Sequence, residues 1–122
     1  MRVRQARAAV LVAEAERAES YGQRTEAVAR YKKAIDLDPP SGTAWFGLAQ
    51  IMRQQADDIR AAVQLYRTAL TKEPRNVEYA ITLAEVYDGL GLKENALKLA
   101  LLATATDRNH GSARALLKRL RG

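Results

Sequence analysis

The sequence lacks the residues that many enzymes use at a metal or redox centre. It contains no cysteine, which excludes disulfide bonds and thiolate chemistry, and it has one histidine, His110. A metal site needs several ligands close together, so a lone histidine does not predict one. Gly89 and Gly91 are not followed by the Lys-Ser/Thr pair of a phosphate-binding loop. These absences predict that the protein is not an enzyme and has no catalytic residue, no metal and no cofactor.

Long apolar stretches are also missing. The longest uninterrupted apolar run covers residues 8–13, far fewer than the roughly 18 residues that a membrane-spanning helix needs. Arg2, Arg4 and Arg7 precede it, but the run is shorter than the apolar core of a secretory signal, about 7–15 residues, and continues into the amphipathic segment 13–20. We predict an amphipathic helix and a cytoplasmic location, with the periplasm as the alternative if the chain is an excised domain.

The clearest pattern in the sequence is a helical hairpin between Thr43 and Pro74. Its first half has large or close-packing residues at the i, i+3, i+4 and i+7 spacing of one helix face, namely Trp45, Leu48, Ala49 and Met52. Its second half has a similar face, made by Ala62, Tyr66, Ala69 and Leu70. A short polar break separates the two. The pattern therefore predicts two amphipathic helices that pack against each other.

This hairpin pattern recurs along the chain. The second-helix residues have counterparts 35 residues earlier, at Ala27, Tyr31, Ala34, Ile35 and Pro39. Counterparts of the first helix follow 35 residues later, at Leu83, Ala84 and Tyr87, and those of the second 34 residues later, at Ala96, Leu97 and Ala103. The difference predicts one extra residue in the loop from Gln55 to Asp58. A period near 34 residues with two helices per unit is typical of stacked helical repeats.

The matched positions resemble the tetratricopeptide repeat family. The middle unit carries the family's pattern at Trp45, Leu48, Ala49, Ala62, Tyr66, Ala69 and Pro74. The third unit carries it at Leu83, Ala84, Tyr87, Gly91, Ala96 and Ala103, and the first at Ala15, Gly22, Ala27, Tyr31, Ala34 and Pro39. The resemblance implies an all-α right-handed superhelix of about seven helices in one domain, 1–122. We predict repeats at about 8–41, 42–76 and 77–110, with a closing helix at 111–122.

Four aromatic residues, Tyr31, Trp45, Tyr66 and Tyr87, fall at the packing positions of this pattern. An alternative is that they form a platform on which nucleic-acid bases stack. Because their spacing follows the repeat, we predict that they lie in the core.

Stacked hairpins bind partners on an extended concave surface, which the first helix of each unit lines. The residues that face away from the packing positions are Val12, Glu16, Glu19, Phe46, Gln50, Arg53, Ile81, Glu85 and Asp88, extended by Ser112, Ala115 and Arg119 if the last helix stacks in register. Phe46 and Ile81 are large and apolar, so we predict that they anchor a peptide or helix of a partner protein. The alternative is that the closing helix or a neighbouring repeat covers one of them.

Some members of the family hold the carboxylate at the end of a chaperone in a clamp of Lys, Arg and Asn. The corresponding positions here carry Val12, Glu16, Gly47, Glu78 and Thr82. None of these residues fits the clamp and two have the wrong charge. We therefore predict a non-catalytic protein-binding scaffold that does not receive chaperone tails of that kind.

The formal net charge of +6 leaves a competing interpretation open. Basic residues collect at both ends of the chain, and Arg114, Lys118 and Arg121 form a small stripe on the last helix. Such a stripe can bind nucleic acid or another acidic surface, although a solvated helix face explains it more simply. Self-association through apolar residues of the end helices is a further alternative, as is docking of a neighbouring domain of a longer chain; these residues are Val10, Leu11, Leu116, Leu117 and Leu120.

Overall fold

The computed structural model of the protein describes residues 3–54 and 58–122. Its elements are seven helices, α1 (Val3–Ser20), α2 (Arg24–Asp36), α3 (Thr43–Gln54), α4 (Ile59–Lys72), α5 (Val77–Gly89), α6 (Lys93–Thr106) and α7 (Gly111–Arg121). The described part contains no strand, which confirms the all-α prediction. The extra residue predicted at Gln55 to Asp58 falls mostly on residues 55–57, which lie outside the described residues, as does Arg2.

The chain forms two compact units, Met1–Glu73 and Pro74–Gly122. In the first unit, α1 pairs with α2 and α3 with α4, while α3 also packs against α2 and α1. In the second unit, α5 pairs with α6, and α7 packs against both. Unit 1 therefore contains the first two predicted hairpins, and unit 2 contains the third together with the closing helix. The organisation of 1–122 as a single domain stays a prediction.

Small residues form the helix contacts in both units. The alanines at the repeated positions are almost completely buried, namely Ala27, Ala34, Ala62, Ala69, Ala96 and Ala103. Tyr31 and Tyr66 are the largest fully buried side chains, and Trp45 and Tyr87 are also buried. The prediction that these four aromatic residues belong to the core is confirmed, so their rings are not available for stacking on bases.

The turn between α2 and α3 is tied to the end of α4. Asp38, which has the left-handed φ of 47°, accepts a 2.5 Å hydrogen bond from Nζ of Lys72. The same ammonium group lies 4.9 Å from the centre of the Trp45 ring, where the face of the ring attracts a cation. The backbone N–H of Gly42 donates to Oε2 of Glu73 at 2.7 Å. These contacts hold the turn against α4 and fix where α3 begins.

Gly47 allows a very close contact between α2 and α3. A Cβ atom at this position would lie 2.6 Å from Cε1 and from the hydroxyl oxygen of Tyr31. No side-chain atom fits at that distance, and Tyr31 is only 2% exposed, so its ring has little room to move. The sequence Trp45-Phe46-Gly47-Leu48 thus places a glycine inside a helix because the neighbouring ring requires it.

We expect Gly47→Ala to lower the free energy of unfolding by about 1–3 kcal/mol, the range typical of overpacked cores. In an open helix the same change raises stability by roughly 0.5–1 kcal/mol. Gly89→Ala is the matched control, because Gly89 is also helical and a Cβ there would meet nothing within 4 Å. Urea unfolding followed by helical circular dichroism measures both. Equal effects of the two changes would contradict the close contact.

Candidate binding surfaces

Unit 1 contains a groove between α1 and the turn that leads into α3. Its volume is about 310 Å³, and its lining includes Ala9, Val12, Ala13, Glu16, Pro39 and Pro40; we call it the α1 groove. Among the described residues that line it, Glu16 is the only charged one. Val12 and Glu16 lie there as first-helix residues of the predicted binding row. The turn prolines were not among the predicted site residues.

Farther along the same row, Phe46 and Gln50 of α3 support a buried tyrosine of α4. The ring of Phe46 meets the ring of Tyr66 edge to face, with centres 5.5 Å apart. The hydroxyl of Tyr66 donates to Oε1 of Gln50. Burial raises the pKa of the Tyr66 hydroxyl, and Arg53 beside it partly opposes that rise. Phe46 is half-buried, so this part of the row packs the core as well as facing solvent.

Tyr31 has a similar arrangement in the first hairpin. Its hydroxyl donates a 2.5 Å hydrogen bond to Oε2 of Glu19, which was a predicted row residue. Burial is the largest cause that raises the pKa of Tyr31 above its usual range, and the bond to Glu19 adds to it. Both tyrosines therefore stay protonated in the folded protein at pH values where an unfolded chain begins to lose those protons.

A raised pKa in the folded state stabilises the protein below the unfolded pKa, near 10, and that contribution is lost as the pH rises above it. We expect the free energy of unfolding to fall steeply above about pH 10. Tyr66→Phe should lower stability at neutral pH by about 0.5–1.5 kcal/mol, because the bond to Gln50 is lost, and should make the alkaline fall shallower. Urea unfolding at a series of pH values tests both effects.

Tyr21→Phe is the control for this experiment, because the Tyr21 side chain is 68% exposed. It should change neither the stability at neutral pH nor the alkaline slope. An unchanged slope in Tyr66→Phe would contradict the raised pKa.

In unit 2, α7 covers part of the predicted row. Ile81 is 6% exposed, so the prediction that its side chain faces solvent is wrong. Helical spacing takes account only of the contacts within one hairpin, whereas α5 also packs against α7. Nε2 of His110, at the start of α7, lies 3.2 Å from Oε1 of Glu78 at the start of α5. Near the ends of the two helices, Arg119 lies 3.6 Å from Oδ2 of Asp88.

One contact joins the starts of α5 and α7 and the other joins their ends, so α7 runs parallel to α5. It stacks as the first helix of a further repeat would. Asp88 also pairs with Lys93 at 3.2 Å, so two cations already share this carboxylate. Glu85 and Arg119 remain exposed. Ser112 and Ala115, which would extend the predicted row, are exposed as well.

His110 has a structural role in this arrangement. Its Nδ1 accepts the backbone N–H of Ala113 at 3.3 Å and so caps α7. The acceptor role of Nδ1 places the ring proton on Nε2, which then donates to Glu78. The described residues contain no group of three His, Cys, Asp or Glu side chains that could hold a metal ion.

A second, larger groove lies between α6 and α7. Its volume is about 730 Å³. Leu101, Thr104, Ala105 and Leu117 form its floor, and four cations, Arg108, Arg114, Lys118 and Arg121, stand around it; we call it the basic groove. The stripe Arg114, Lys118 and Arg121 was recognisable in the sequence. Arg108 belongs to the basic end of the sequence but not to the stripe, and Leu101 was missed, because both residues come from outside α7. The exposed pair Leu101 and Leu102 is an unusual feature of α6.

As to membranes, none of the helices within residues 3–54 and 58–122 combines the length and the apolar character needed to cross a bilayer.

The paired helices and their small-residue contacts define a stacked helical-repeat protein. A model of the tetratricopeptide repeat matches residues 53–120, more than half of the chain. The chain therefore belongs to the tetratricopeptide repeat family, as the repeated positions predicted. A search of curated proteins found no sequence that matches this chain.

Solved structures with the same fold are similar over nearly the whole chain. The TPR domain of Arabidopsis OM64 superposes with a TM-score of 0.81 at 20% identity, covering 97% of this chain and 97% of that one. The first TPR of Spaghetti (RPAP3), bound to the HSP90 peptide SRMEEVD, gives a TM-score of 0.81 at 18% identity over 96% of this chain and 92% of its own. MamA gives 0.79 at 18% identity over 93% of this chain and 66% of its own. At these identities the similarity establishes the fold.

Proposed function

We propose that the protein is a non-catalytic interaction scaffold that binds a peptide or a helix of a partner protein along the faces of its first helices. Membership of the tetratricopeptide repeat family supports this function, because stacked repeats present extended concave surfaces for binding. The structural neighbour that holds an HSP90 peptide is consistent with it.

The α1 groove is the observation that carries the proposal. It is concave and mostly apolar, with one charged group at Glu16, and binding sites commonly combine an apolar lining with a few polar groups that fix orientation. Its occupant is a segment with small apolar side chains and a basic residue placed to meet Glu16. Farther along α3, the half-buried Phe46 and the exposed Arg53 extend the surface.

The chemistry of the groove argues against an acidic chaperone tail as the ligand. Glu16 would repel a carboxylate, and the second acidic residue at the clamp positions, Glu78, accepts a hydrogen bond from His110. A peptide such as SRMEEVD, which the Spaghetti domain holds, has two adjacent glutamates and a carboxyl-terminal aspartate. We therefore propose a different class of ligand for this chain.

A photo-crosslinking amino acid placed at Ala9 tests the proposal. Ala9 is exposed and lines the α1 groove, so in an extract of the source organism we expect a discrete protein adduct. The same amino acid at Lys33, exposed on α2, is the positional control and should not give that adduct. Mass spectrometry of the adduct then identifies the partner and the segment bound.

Ala13→Arg in the Ala9 probe provides the second control. Ala13 is exposed and lines the same groove, so the larger side chain should fill the groove without disturbing the core, and the adduct should disappear while circular dichroism stays unchanged. Persistence of the adduct, or the same adduct at Lys33, would count against the α1 groove as the binding site. A substitution at Ile81, the other predicted anchor, would not test the binding surface, because the Ile81 side chain is buried and its loss would disturb the core.

A further inference from the structure

We propose that the basic groove is a second docking site, which binds an acidic amphipathic helix of a partner protein. It lies between α6 and α7, within unit 2, and shares no residue with the α1 groove. The proposal therefore does not depend on the function argued above.

The first argument is the uncompensated charge around the groove. Residues 101–122 contain five Lys or Arg residues and one acidic residue, Asp107. Within the described part of the chain, no carboxylate forms an ion pair with any of the four cations of the groove. Arg119 differs from them, since it pairs with Asp88 of α5. Four like charges around one depression give a positive potential that favours a negatively charged occupant.

The second argument is the apolar floor. Leu101 remains 39% exposed and lies in the groove beside Ala105 and the half-buried Leu117. An occupant that covers these side chains removes apolar surface from water, which stabilises a complex by about 25 cal/mol per Å² buried. An apolar floor with a charged border matches a helix that has leucine-like residues on one face and carboxylates beside them.

The size of the groove fits a short helix. On α7 the lining runs from Arg114 to Arg121, which is about 10 Å at 1.5 Å per residue. A partner helix of about two turns can therefore lie along the groove, with anchors at the i, i+3 or i+4, and i+7 positions.

Nucleic acid fits the groove less well. Its phosphates would meet the four cations, but proteins that bind single strands also provide aromatic rings on which bases stack. Among the described lining residues there is no aromatic side chain, and the floor would have to face a polar backbone. A second copy of the chain is also disfavoured, because each copy carries a formal net charge of +6.

A designed peptide provides the first test. The probe is a fluorescein-labelled peptide of about 18 residues, long enough to form a helix, with Leu on one face and Glu at most other positions. A second peptide with Lys in place of every Glu is its charge control. Fluorescence anisotropy with the full chain should show saturable binding of the acidic peptide and none of the basic one. The affinity should fall about tenfold or more between about 0.05 M and about 0.5 M NaCl.

Two variants with the same change of net charge locate the site. Arg114→Glu/Lys118→Glu/Arg121→Glu reverses three cations of the groove, and Arg4→Glu/Lys32→Glu/Lys33→Glu reverses three exposed cations in unit 1. We expect the first to weaken binding of the acidic peptide about tenfold or more and the second to change it less than about twofold. Leu101→Asp, a change at an exposed side chain, should also abolish binding and tests the floor independently.

Three results would overturn the proposal. One is equal weakening by the two charge variants, which would mean that only the net charge matters. Another is unchanged binding in Leu101→Asp. The third is a labelled single-stranded oligonucleotide that binds more tightly than the acidic peptide and loses its binding in the Arg114/Lys118/Arg121 variant, which would assign the groove to nucleic acid. Loss of the crosslink at Ala9 has no bearing on any of these measurements.

Discussion

The fold depends on close contact between helices at small side chains. Ala15, Ala27 and Ala34 in the first hairpin and Ala62 and Ala69 in the second have no measurable exposure. Because these residues add little beyond a Cβ atom, the helix backbones approach closely, and the large rings of Tyr31 and Tyr66 occupy the remaining space. The contact of Gly47 with Tyr31 is the extreme case, since even a Cβ atom does not fit. The regular spacing of these residues is therefore both the signature of the repeat and the cause of its packing.

The same contacts determine which side chains remain for binding. The hydroxyls of the two buried tyrosines each find a partner on a first helix, Glu19 for Tyr31 and Gln50 for Tyr66. A buried hydroxyl without a hydrogen-bond partner would lower the stability of the fold. Glu19 and Gln50 therefore have a structural role that does not depend on a ligand. This leaves the α1 groove, where Ala9, Ala13 and Glu16 have no such role in the core, as the part of unit 1 best suited to a ligand.

The sequence was sufficient to predict the helices and most of the core, because repeated positions at a fixed period identify packing residues without knowledge of the structure. It was not sufficient for Ile81. Helical spacing alone indicates that Ile81 faces away from its own hairpin, but it takes no account of packing beyond that hairpin, such as that of α7 against α5, and Ile81 is buried. The α1 groove also needed the structure, since its lining combines α1 with Pro39 and Pro40 of a turn. The sequence predicted one side of the basic groove, the stripe of cations on α7. It did not show that Leu101 of α6 and Arg108 of the following turn lie beside that stripe.

The two grooves have opposite charge, and this bears on selectivity. Glu16 is the charged residue of the α1 groove, whereas four cations surround the basic groove. An acidic segment is attracted by one and repelled by the other, so the two proposed sites would select different sequences even though both grooves are partly apolar. Long-range attraction mainly raises the rate of association, while burial of apolar side chains mainly slows dissociation. A partner of the basic groove should therefore be captured quickly at low salt, and Leu101 and Leu117 should determine how long it stays bound.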